Sequence, residues 1–229
     1  VLKTEKNFNN EIGLPKTLLQ LSPEHEACVV EMGMRGLGQI EELAFIAEPT
    51  IGIITNVGTS HIELLGSQEA IAEAKGELIR CLGPDSVAIL NEDDHFVKAM
   101  SSIAEGKTVT YGIHSNATVI GSHLRYKKDG IKFTCKCYDE VFDVFLPMIG
   151  EHNVYDALAA IAAGRVLGVK SSKIKKGLSD FTGTPMRQEI VAFEDIVILN
   201  DAYNANPSSM SESIKALGQL EGKRKIAML

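Results

Sequence analysis

Short apolar runs recur along the chain, each followed by a polar or glycine-rich loop and then by a stretch with helical periodicity. Four runs have this form, at 27–30, 50–55, 87–90 and 196–199. Val, Ile and Leu dominate them without regular polar alternation, which is typical of strands buried on both faces. The pattern therefore predicts an α/β fold in which helices flank a mostly parallel sheet.

The helical stretches have apolar residues about 3.6 positions apart. They predict helices at 67–82, 94–104, 153–167, 172–181 and 208–220. Ser67 is a suitable N-cap for the first helix, and Glu69 stands in its first turn, where a negative charge is favourable.

Residues 117–147 have a different pattern, in which apolar and polar residues alternate. Alternation on both sides of Lys128-Asp129-Gly130 predicts an antiparallel hairpin with Asp-Gly at its turn, added to the edge of the sheet. The sequence Thr-Gly-Thr-Pro at 182–185 then interrupts the pattern. We therefore expect one domain at 1–184 and the beginning of a second α/β unit at 185–229.

The composition narrows the classes of function that this protein can have. The chain of 229 residues has 23 Lys and Arg against 30 Asp and Glu, a net charge of −7. Generic nucleic-acid binding needs a basic face, so we expect no nucleic-acid partner. No apolar run reaches the roughly 18 residues of a membrane-spanning helix, so we expect no membrane insertion. The four cysteines lack zinc spacing, and we expect buried thiols in a cytoplasmic protein.

Both ends suggest a segment of a longer protein. The chain begins with Val1 and not with methionine, and 225–229 has the pattern of a buried strand with nothing after it. We therefore expect further chain on both sides.

Gly106-Lys107-Thr108 is part of a phosphate-loop motif, but the rest of the motif is missing. Its first glycine would stand at position 101, which is serine, and a helix precedes the segment where the motif needs a strand. We interpret Gly106 as the C-cap of that helix.

Lys75 occupies an unexpected position on the predicted helix 67–82. The apolar stripe of this helix holds Ile71, Ala74, Leu78, Ile79 and Leu82, and Lys75 falls inside the stripe. One interpretation is a lysine whose stem packs while its ammonium reaches water. The other is a desolvated amine with a lowered pKa, available for covalent modification or catalysis. The pattern alone leaves both open.

Polar residues gather where the predicted strands end, at the edge where α/β sheets bind ligands. Glu31 follows the first run and precedes a glycine-rich loop. Two roles suit a carboxylate at this position: a metal ligand, or the cap of the next helix. His61 follows the second run. A lone loop histidine is commonly just hydrogen-bonded or exposed, but beside a carboxylate it is a candidate contact for Mg²⁺ or phosphate.

Three further residues have ordinary structural interpretations. Asn153 is a good N-cap for the alanine-rich helix, Arg187 follows the boundary proline as a surface residue would, and Asp201 lies in a polar loop. By themselves they identify no ligand.

Taken together, these residues resemble the signatures of the Mur ligases, the ATP-dependent amide-forming enzymes of peptidoglycan synthesis. Four sets of residues carry the resemblance in the family's order: 7–15; 55–61 with 66–67 and 73–77; 150–153 with 157–160; and 186–187 with 201–207. The first and last sets are most similar to members that join D-alanyl-D-alanine to UDP-N-acetylmuramoyl-tripeptide. The resemblance extends over essentially the whole chain.

The resemblance implies metal and catalytic roles for three residues. Glu31 and His61 would help to bind Mg²⁺. Lys75 would carry a carbamate, whose negative charge holds a second Mg²⁺. His61 and Lys75 are therefore the expected catalytic residues.

The resemblance also implies contacts with the substrates. Asn153 would contact the adenine end of ATP, and Arg187 and Asp201 would reach the nucleotide from the next domain. Asn9 and Asn10 are candidates for the side that binds the muramoyl substrate.

The implied fold is an incomplete central ATP-binding domain at 1–184 and the beginning of a Rossmann-like ligase domain at 185–229. The implied reaction passes through an acyl phosphate, with ATP and Mg²⁺ as cofactors, in a monomer. Three alternatives stay open: another Mur ligase, a ligase similar to folylpolyglutamate synthase, or a non-catalytic interaction module of the same fold.

We expect this segment by itself to be inactive and to bind ATP weakly. The phosphates of a nucleotide need a glycine-rich backbone cradle with a lysine and a helix N-terminus. Since no loop of this sequence has that combination, the phosphate loop implied by the resemblance should lie upstream of Val1.

Overall fold

A computed structural model describes residues 1–127, 129–220, 222 and 224–229. The chain divides into two compact units. The first comprises 1–88 and 94–108, and the second comprises 89–93 and 109–229. Each unit is described by itself below.

The first unit contains most of the short elements. In chain order they are β1 (Leu2–Lys3), α1 (Gly13–Leu18), β2 (Cys28–Val29), α2 (Gln39–Ala47), β3 (Ile51–Ile54), α3 (Ile62–Leu65), α4 (Gln68–Arg80), α5 (His95–Ala99) and a 3-10 helix at Met100–Ile103. Strands β4 (Val87–Asn91) and β5 (Lys107–Gly112) have residues in both units.

The second unit contains the longer strands and the longest helix. In chain order its elements are β6 (Val119–Lys127), β7 (Gly130–Cys137), β8 (Glu140–Leu146), α6 (Glu151–Val166), α7 (Ser171–Ser179), β9 (Glu189–Phe193), β10 (Ile196–Asn200) and α8 (Pro207–Gln219).

The strands β3 to β8 form one six-stranded sheet in the order β3-β4-β5-β6-β7-β8. β5 pairs in parallel with β6, whereas β6, β7 and β8 pair in antiparallel fashion. The α/β prediction with an antiparallel addition is therefore confirmed, although the addition has three strands where we predicted two. Tyr138 interrupts 131–146 with a left-handed φ of 53° and turns the chain between β7 and β8.

The predicted turn at 128–130 is confirmed for its described residues, Asp129 and Gly130. Gly130 is already the first residue of β7 and pairs with Lys127, so the connection is short. Lys128 lies outside the described residues. Gly130 has a φ of 147°, and a Cβ there would lie 2.2 Å from the carbonyl oxygen of Leu146, so the position requires glycine.

Two apolar runs form strands of a kind that the pattern did not predict. The run at 27–30 gives β2, which pairs with β1 in a separate two-stranded sheet. The run at 196–199 gives β10, which pairs antiparallel with β9, and Val197 is 53% exposed. The prediction of a strand buried on both faces was wrong here, because an apolar run cannot distinguish a hairpin strand from one inside a sheet.

The five predicted helices are confirmed within a few residues. The Ser67 hydroxyl accepts from the amide of Ala70 as the N-cap of α4. α1, α2 and α3 were not predicted. Gly106 is not a helix C-cap, because it lies after the 3-10 helix, at the bend before β5. A Cβ at Gly106 would lie 2.2 Å from the Ser86 carbonyl oxygen.

Apolar stripes hold each unit together. In the first unit, Ile71, Ala74, Leu78 and Ile79 on α4 are buried, and a Cβ at Gly52 of β3 would lie 2.9 Å from Leu82 Cδ1. In the second unit the buried face of α6 packs on β6 and β7. Burial of these side chains, worth about 25 cal/mol per Å² of apolar surface, fixes both helices against their strands.

Three further features concern the C-terminal residues, the cysteines and the length of the helices. Residues 225–229 have no regular secondary structure, because no strand in the described part of the chain pairs with them. Cys135 and Cys137 are buried as expected, but Cys28 is half-buried and Cys81 is exposed. Among the described residues, no helix combines the length and apolarity needed to cross a bilayer.

Asp93 ties together the loop after β5 and helix α6 in the second unit. Its Oδ2 accepts from the amides of Ile113 (2.6 Å) and His114 (2.9 Å) and from the hydroxyl of Tyr155 (2.9 Å). Burial by itself raises the pKa of this carboxyl. The hydrogen bonds from Ser115, His114, Ile113 and Tyr155 together outweigh burial and lower the pKa from 3.8 to about 2.

We expect Asp93→Asn to lower the free energy of unfolding at pH 6 by about 1–2 kcal/mol, less than the full pKa difference implies because water reaches the carboxylate. A lowered pKa stabilises the fold above pH 3.8, and this contribution is lost as the pH falls toward about 2. Urea unfolding at pH 6 and at pH 2.5 checks this. An unchanged difference between variant and wild type at the two pH values would contradict it.

Candidate functional site

Lys75 lies in the buried stripe of α4 and makes one specific polar contact. Its Nζ donates to the carbonyl oxygen of Asn56 at 2.6 Å, and the residue is half-buried. Asn56 lies in the polar loop that follows β3 and leads to His61. The amine is therefore directed to the loop at the strand end and does not extend freely into water.

The loop after β3 is held from two other sides within the first unit. The amide of Val57 donates to Asp94 Oδ2 at 2.8 Å, while Asp94 Oδ1 accepts from Phe96 and Val97 as the N-cap of α5. Gln68 Nε2 donates to the carbonyl of Val57 at 3.3 Å. These bonds give Lys75 a fixed partner.

The environment of Lys75 favours its neutral form. Burial lowers the pKa of the ammonium, and the negative charge of Asp94 opposes this effect without cancelling it. A larger fraction of neutral amine is therefore present at neutral pH than for a lysine in water. Neutral amines are nucleophiles, so the site can support covalent chemistry at Nζ.

His61 and the two candidate asparagines line one cleft of about 570 Å³ in the first unit. The cleft lining includes Asn9, Asn10, Gly33, Arg35, Gln39 and His61. His61 is exposed, precedes α3 and has a φ of 66°, in the left-handed region. This cleft is called the N-terminal cleft below.

Glu31 is linked to the N-terminal cleft through Asn9. Asn9 Nδ2 donates to Glu31 Oε1 at 2.8 Å, and the amide of Gly33 donates to the carbonyl of Asn9 at 2.7 Å. A Cβ at Gly33 would lie 3.0 Å from the Asn9 amide group. Glu31 does not cap the next helix, because Gly38 is the N-cap residue of α2.

Asn10 has a structural contact of its own. Its Oδ1 accepts from the amides of Ile12 (3.3 Å) and Gly13 (2.8 Å) where α1 begins. Asn10 therefore stabilises the start of α1 through Oδ1, and it also lines the N-terminal cleft.

The donor set suits Mg²⁺ only in part. Within the described part of the chain, no group of three His, Cys, Asp or Glu side chains has the arrangement of a metal site. Glu31 supplies the hard oxygen that Mg²⁺ prefers, and the imidazole of His61 is a softer donor. Since Mg²⁺ commonly keeps several waters and takes phosphate oxygens from the substrate, one protein carboxylate is compatible with binding.

Asn153 and Asp201, in the second unit, are joined by a residue that the sequence did not single out. Gln188 is 8% exposed, and its Oε1 accepts from Asn153 Nδ2 at 3.1 Å. The amide of Gln188 donates to Asp201 Oδ1 at 3.2 Å. Ser213 completes the link, since it accepts from Gln188 Nε2 at 3.3 Å and its hydroxyl donates to Asp201 Oδ2.

Two more side chains stand at this cluster. The guanidinium of Arg187 lies 4.4 Å from the centre of the Tyr203 ring, a cation–π contact. His152 Nε2 lies 3.0 Å from Gln188 Oε1, and His152 Nδ1 lies 3.8 Å from Glu212 Oε2. Asn153, Arg187 and Asp201 therefore gather around the segment 186–188.

The structure thus groups the predicted site residues into two sets. Asn9, Asn10 and His61 share the N-terminal cleft, which Glu31 joins through Asn9, and Lys75 contacts the loop that carries His61. Asn153, Arg187 and Asp201 form the second set.

Asp94 and Gln188 belong to these sets but were not predicted from the sequence. Asp94 stood at the start of a predicted helix, a position that indicates an N-cap. Nothing in the sequence indicated that Asp94 also accepts a hydrogen bond from the amide of Val57. Gln188 carried no signal, since a glutamine after Arg187 is unremarkable until folding buries it.

The chain also matches a family of known proteins. The Mur ligase middle domain matches residues 1–164. The UDP-N-acetylmuramoyl-tripeptide--D-alanyl-D-alanine ligase of Synechocystis sp. is 44% identical over 100% of this chain and 48% of its own length.

Two solved structures are also similar. MurF from Acinetobacter baumannii superposes with a TM-score of 0.92 at 32% identity, over 96% of this chain and 49% of that one. The MurF ligase from Thermotoga maritima in complex with ADP has a TM-score of 0.87 at 27% identity, over 96% of this chain and 51% of that one. The chain spans about half the length of the relatives it matches.

Proposed function

The chain belongs to the Mur ligase family, and from that premise we propose that it is the central part of an ATP-dependent ligase. The proposed enzyme joins D-alanyl-D-alanine to UDP-N-acetylmuramoyl-tripeptide. The observation that carries the proposal is the 44% identity to a ligase of that name across the full chain.

The proposed reaction has two steps. A carboxylate oxygen of the tripeptide attacks the γ-phosphorus of ATP, ADP leaves, and an acyl phosphate forms. The dipeptide amine then attacks the acyl carbon, the amide bond forms, phosphate leaves and the amine loses a proton. The first step brings a carboxylate against the ATP phosphates, and the second develops an oxyanion beside the acyl phosphate, so the enzyme must offset these negative charges.

Glu31, His61 and Lys75 are the proposed groups for charge control. Mg²⁺, when bound, would neutralise charge on the phosphates and the reacting carboxylate. Glu31 would be a ligand, held in orientation by Asn9, and His61 would contact metal or phosphate from the rim of the cleft. Lys75 is proposed to act as a carbamate.

Asn153, Arg187 and Asp201 are the proposed nucleotide contacts, and Asn9 and Asn10 are proposed for the muramoyl side. The domain division at 184, the monomeric state and a cytoplasmic location belong to the same proposal. ATP and a soluble nucleotide-linked substrate are both available in the cytoplasm.

The test is product formation by the full-length gene product. Incubation with ATP, MgCl₂, UDP-N-acetylmuramoyl-tripeptide and D-alanyl-D-alanine should yield the pentapeptide product by mass spectrometry, with one phosphate released per product. Turnover only with a single amino acid and a shorter acceptor would indicate another Mur ligase. Turnover only with glutamate and a folate would indicate the folate branch, and none at all an interaction module.

We expect Gln188→Ala to raise the KM for ATP about tenfold while kcat changes less. The substitution removes the acceptor of Asn153 and the donor to Ser213, each worth about 0.5–1.5 kcal/mol, so the proposed nucleotide contacts lose their alignment. Gln219→Ala, at the exposed end of α8, is the control. Steady-state kinetics with ATP varied gives the answer, and an unchanged KM would show that Gln188 does not position the site.

A further inference from the structure

A groove of about 790 Å³ in the second unit collects cationic side chains. Five cations from three elements line it, namely Arg125 and Lys127 of β6, Lys132 of β7, and Lys175 and Lys176 of α7. Asp143 is the carboxylate in the lining, and its Oδ1 accepts from Thr134 Oγ1 at 2.9 Å. This site is called the basic groove below.

The positive charge of the basic groove is concentrated against the overall balance of the protein. The chain carries a net charge of −7, yet five of its 23 Lys and Arg meet here. In the part of the chain that the structure describes, none of the five forms an ion pair with a carboxylate. The groove is therefore a local positive field on an acidic protein.

The strand register places two of these positive charges next to each other, which lowers the stability of the strand pair. Arg125 and Lys132 stand directly opposite each other across β6 and β7. Like charges at directly opposed positions destabilise an antiparallel pair. Lys132 recovers part of the cost, because its Nζ lies 5.9 Å from the centre of the Phe145 ring. A bound anion would relieve the remaining repulsion between Arg125 and Lys132.

We propose that the basic groove is a binding site for a small multivalent phosphate anion, of the size and charge of a pyrophosphate or triphosphate group. Three elements converge on a concave space, so several cations can reach one compact ligand at once. An extended anionic membrane surface is best met by cations spread over a flat or convex face, whereas these cations line a concave one. Membrane binding is therefore the alternative outcome of the test.

This proposal does not rest on the proposed ligase function. None of the five cations belongs to the two sets of candidate site residues. The ligase rate of the groove variants should stay within twofold of wild type, so that a failure of one proposal can be told from a failure of the other.

The experiment is isothermal titration of the full-length protein with sodium tripolyphosphate, without divalent metal, at 50 mM and 300 mM NaCl. Lys132→Glu and Lys175→Glu should each raise the Kd at least tenfold. Lys136→Glu, an exposed lysine on the same strand outside the groove, should change it less than twofold. Binding should weaken severalfold at the higher salt, as screening requires.

Three results would overturn the proposal. An equal effect of Lys136→Glu would mean diffuse attraction, and no effect of either groove variant would mean binding elsewhere. Cosedimentation with vesicles containing an anionic phospholipid, without tripolyphosphate binding, would mean a membrane surface. If Lys132→Glu failed to fold, Lys175→Glu on the separate helix α7 would still decide.

Discussion

Lys75→Ala should lower the rate of amide formation by the proposed full-length ligase by about three orders of magnitude, the scale expected for loss of a key electrostatic group in an active site. Lys75 lies in the buried stripe of α4, and its pKa is lowered by burial. Its Nζ holds the carbonyl of Asn56 at the strand end. Alanine removes both the amine and that contact.

The proposed chemistry at Lys75 is carbamate formation. The neutral amine attacks CO₂, the N–C bond forms, and one proton leaves to solvent, so a group that was cationic in its ammonium form becomes anionic. The carbamate nitrogen keeps one N–H. The hydrogen bond to Asn56 would therefore persist, and the carbamate oxygens would serve as ligands for a bound metal.

Two variants and one rescue separate this role from simple packing. Lys75→Arg keeps a positive charge but cannot form the carbamate, so it should be as inactive as Lys75→Ala. Acetate or propionate should restore part of the Lys75→Ala rate by supplying a carboxylate. Lys173→Ala, an exposed lysine on α7, is the control and should be fully active. A wild-type rate for Lys75→Ala would show that the lysine only packs.

Glu77→Ala should lower the free energy of unfolding by about 2–4 kcal/mol, the cost of leaving buried donors without a charged acceptor. Glu77 on α4 is 6% exposed. Its Oε1 accepts from the amide of Gly38 at 2.6 Å, and its Oε2 accepts from the amide of Glu41 at 3.1 Å. Since Gly38 has no side chain, Glu77 caps α2 in its place, where the helix dipole also favours a negative charge.

Matched variants on the same helix test the cap. Glu77→Gln keeps the shape and one oxygen, so it should lose about half as much stability as alanine. Glu73→Ala removes an exposed carboxyl and should change stability by less than about 0.5 kcal/mol. Denaturant unfolding gives these values, and hydrogen exchange of the amides of Gly38 and Glu41 should accelerate in Glu77→Ala. Equal losses for Glu73 and Glu77 would contradict the cap.

The α/β class and the long helices were predictable because they depend on local periodicity. α4 shows this most clearly, since its apolar stripe, its Ser67 cap and the odd position of Lys75 all follow from spacing along one helix. The alternation in the predicted hairpin is likewise seen in β7, where Cys135 and Cys137 are both buried. The short helices α1 and α3 were missed, because one or two turns give too few positions for a period, and α2 was missed although it is as long as α7.

The contents of the candidate site were partly predictable. The polar residues at the strand ends were found from the order of runs and loops, and their similarity to the Mur ligase signatures suggested roles. The partners were not predictable: Asn9 for Glu31, Asp94 for Val57 and Gln188 for Asn153 are 22, 37 and 35 residues apart in sequence. No local pattern contains such pairs.

Local order along the chain therefore specified where helices and most strands form and which residues stand at their ends. Pairing direction, burial and hydrogen-bond partners were decided only in three dimensions. β10 shows the first two, because the same apolar run could be an inner strand or an exposed hairpin strand until its neighbour was known. Glu77 shows the third, because a buried carboxylate is tolerated only where folding brings donors such as the amides of Gly38 and Glu41 within reach.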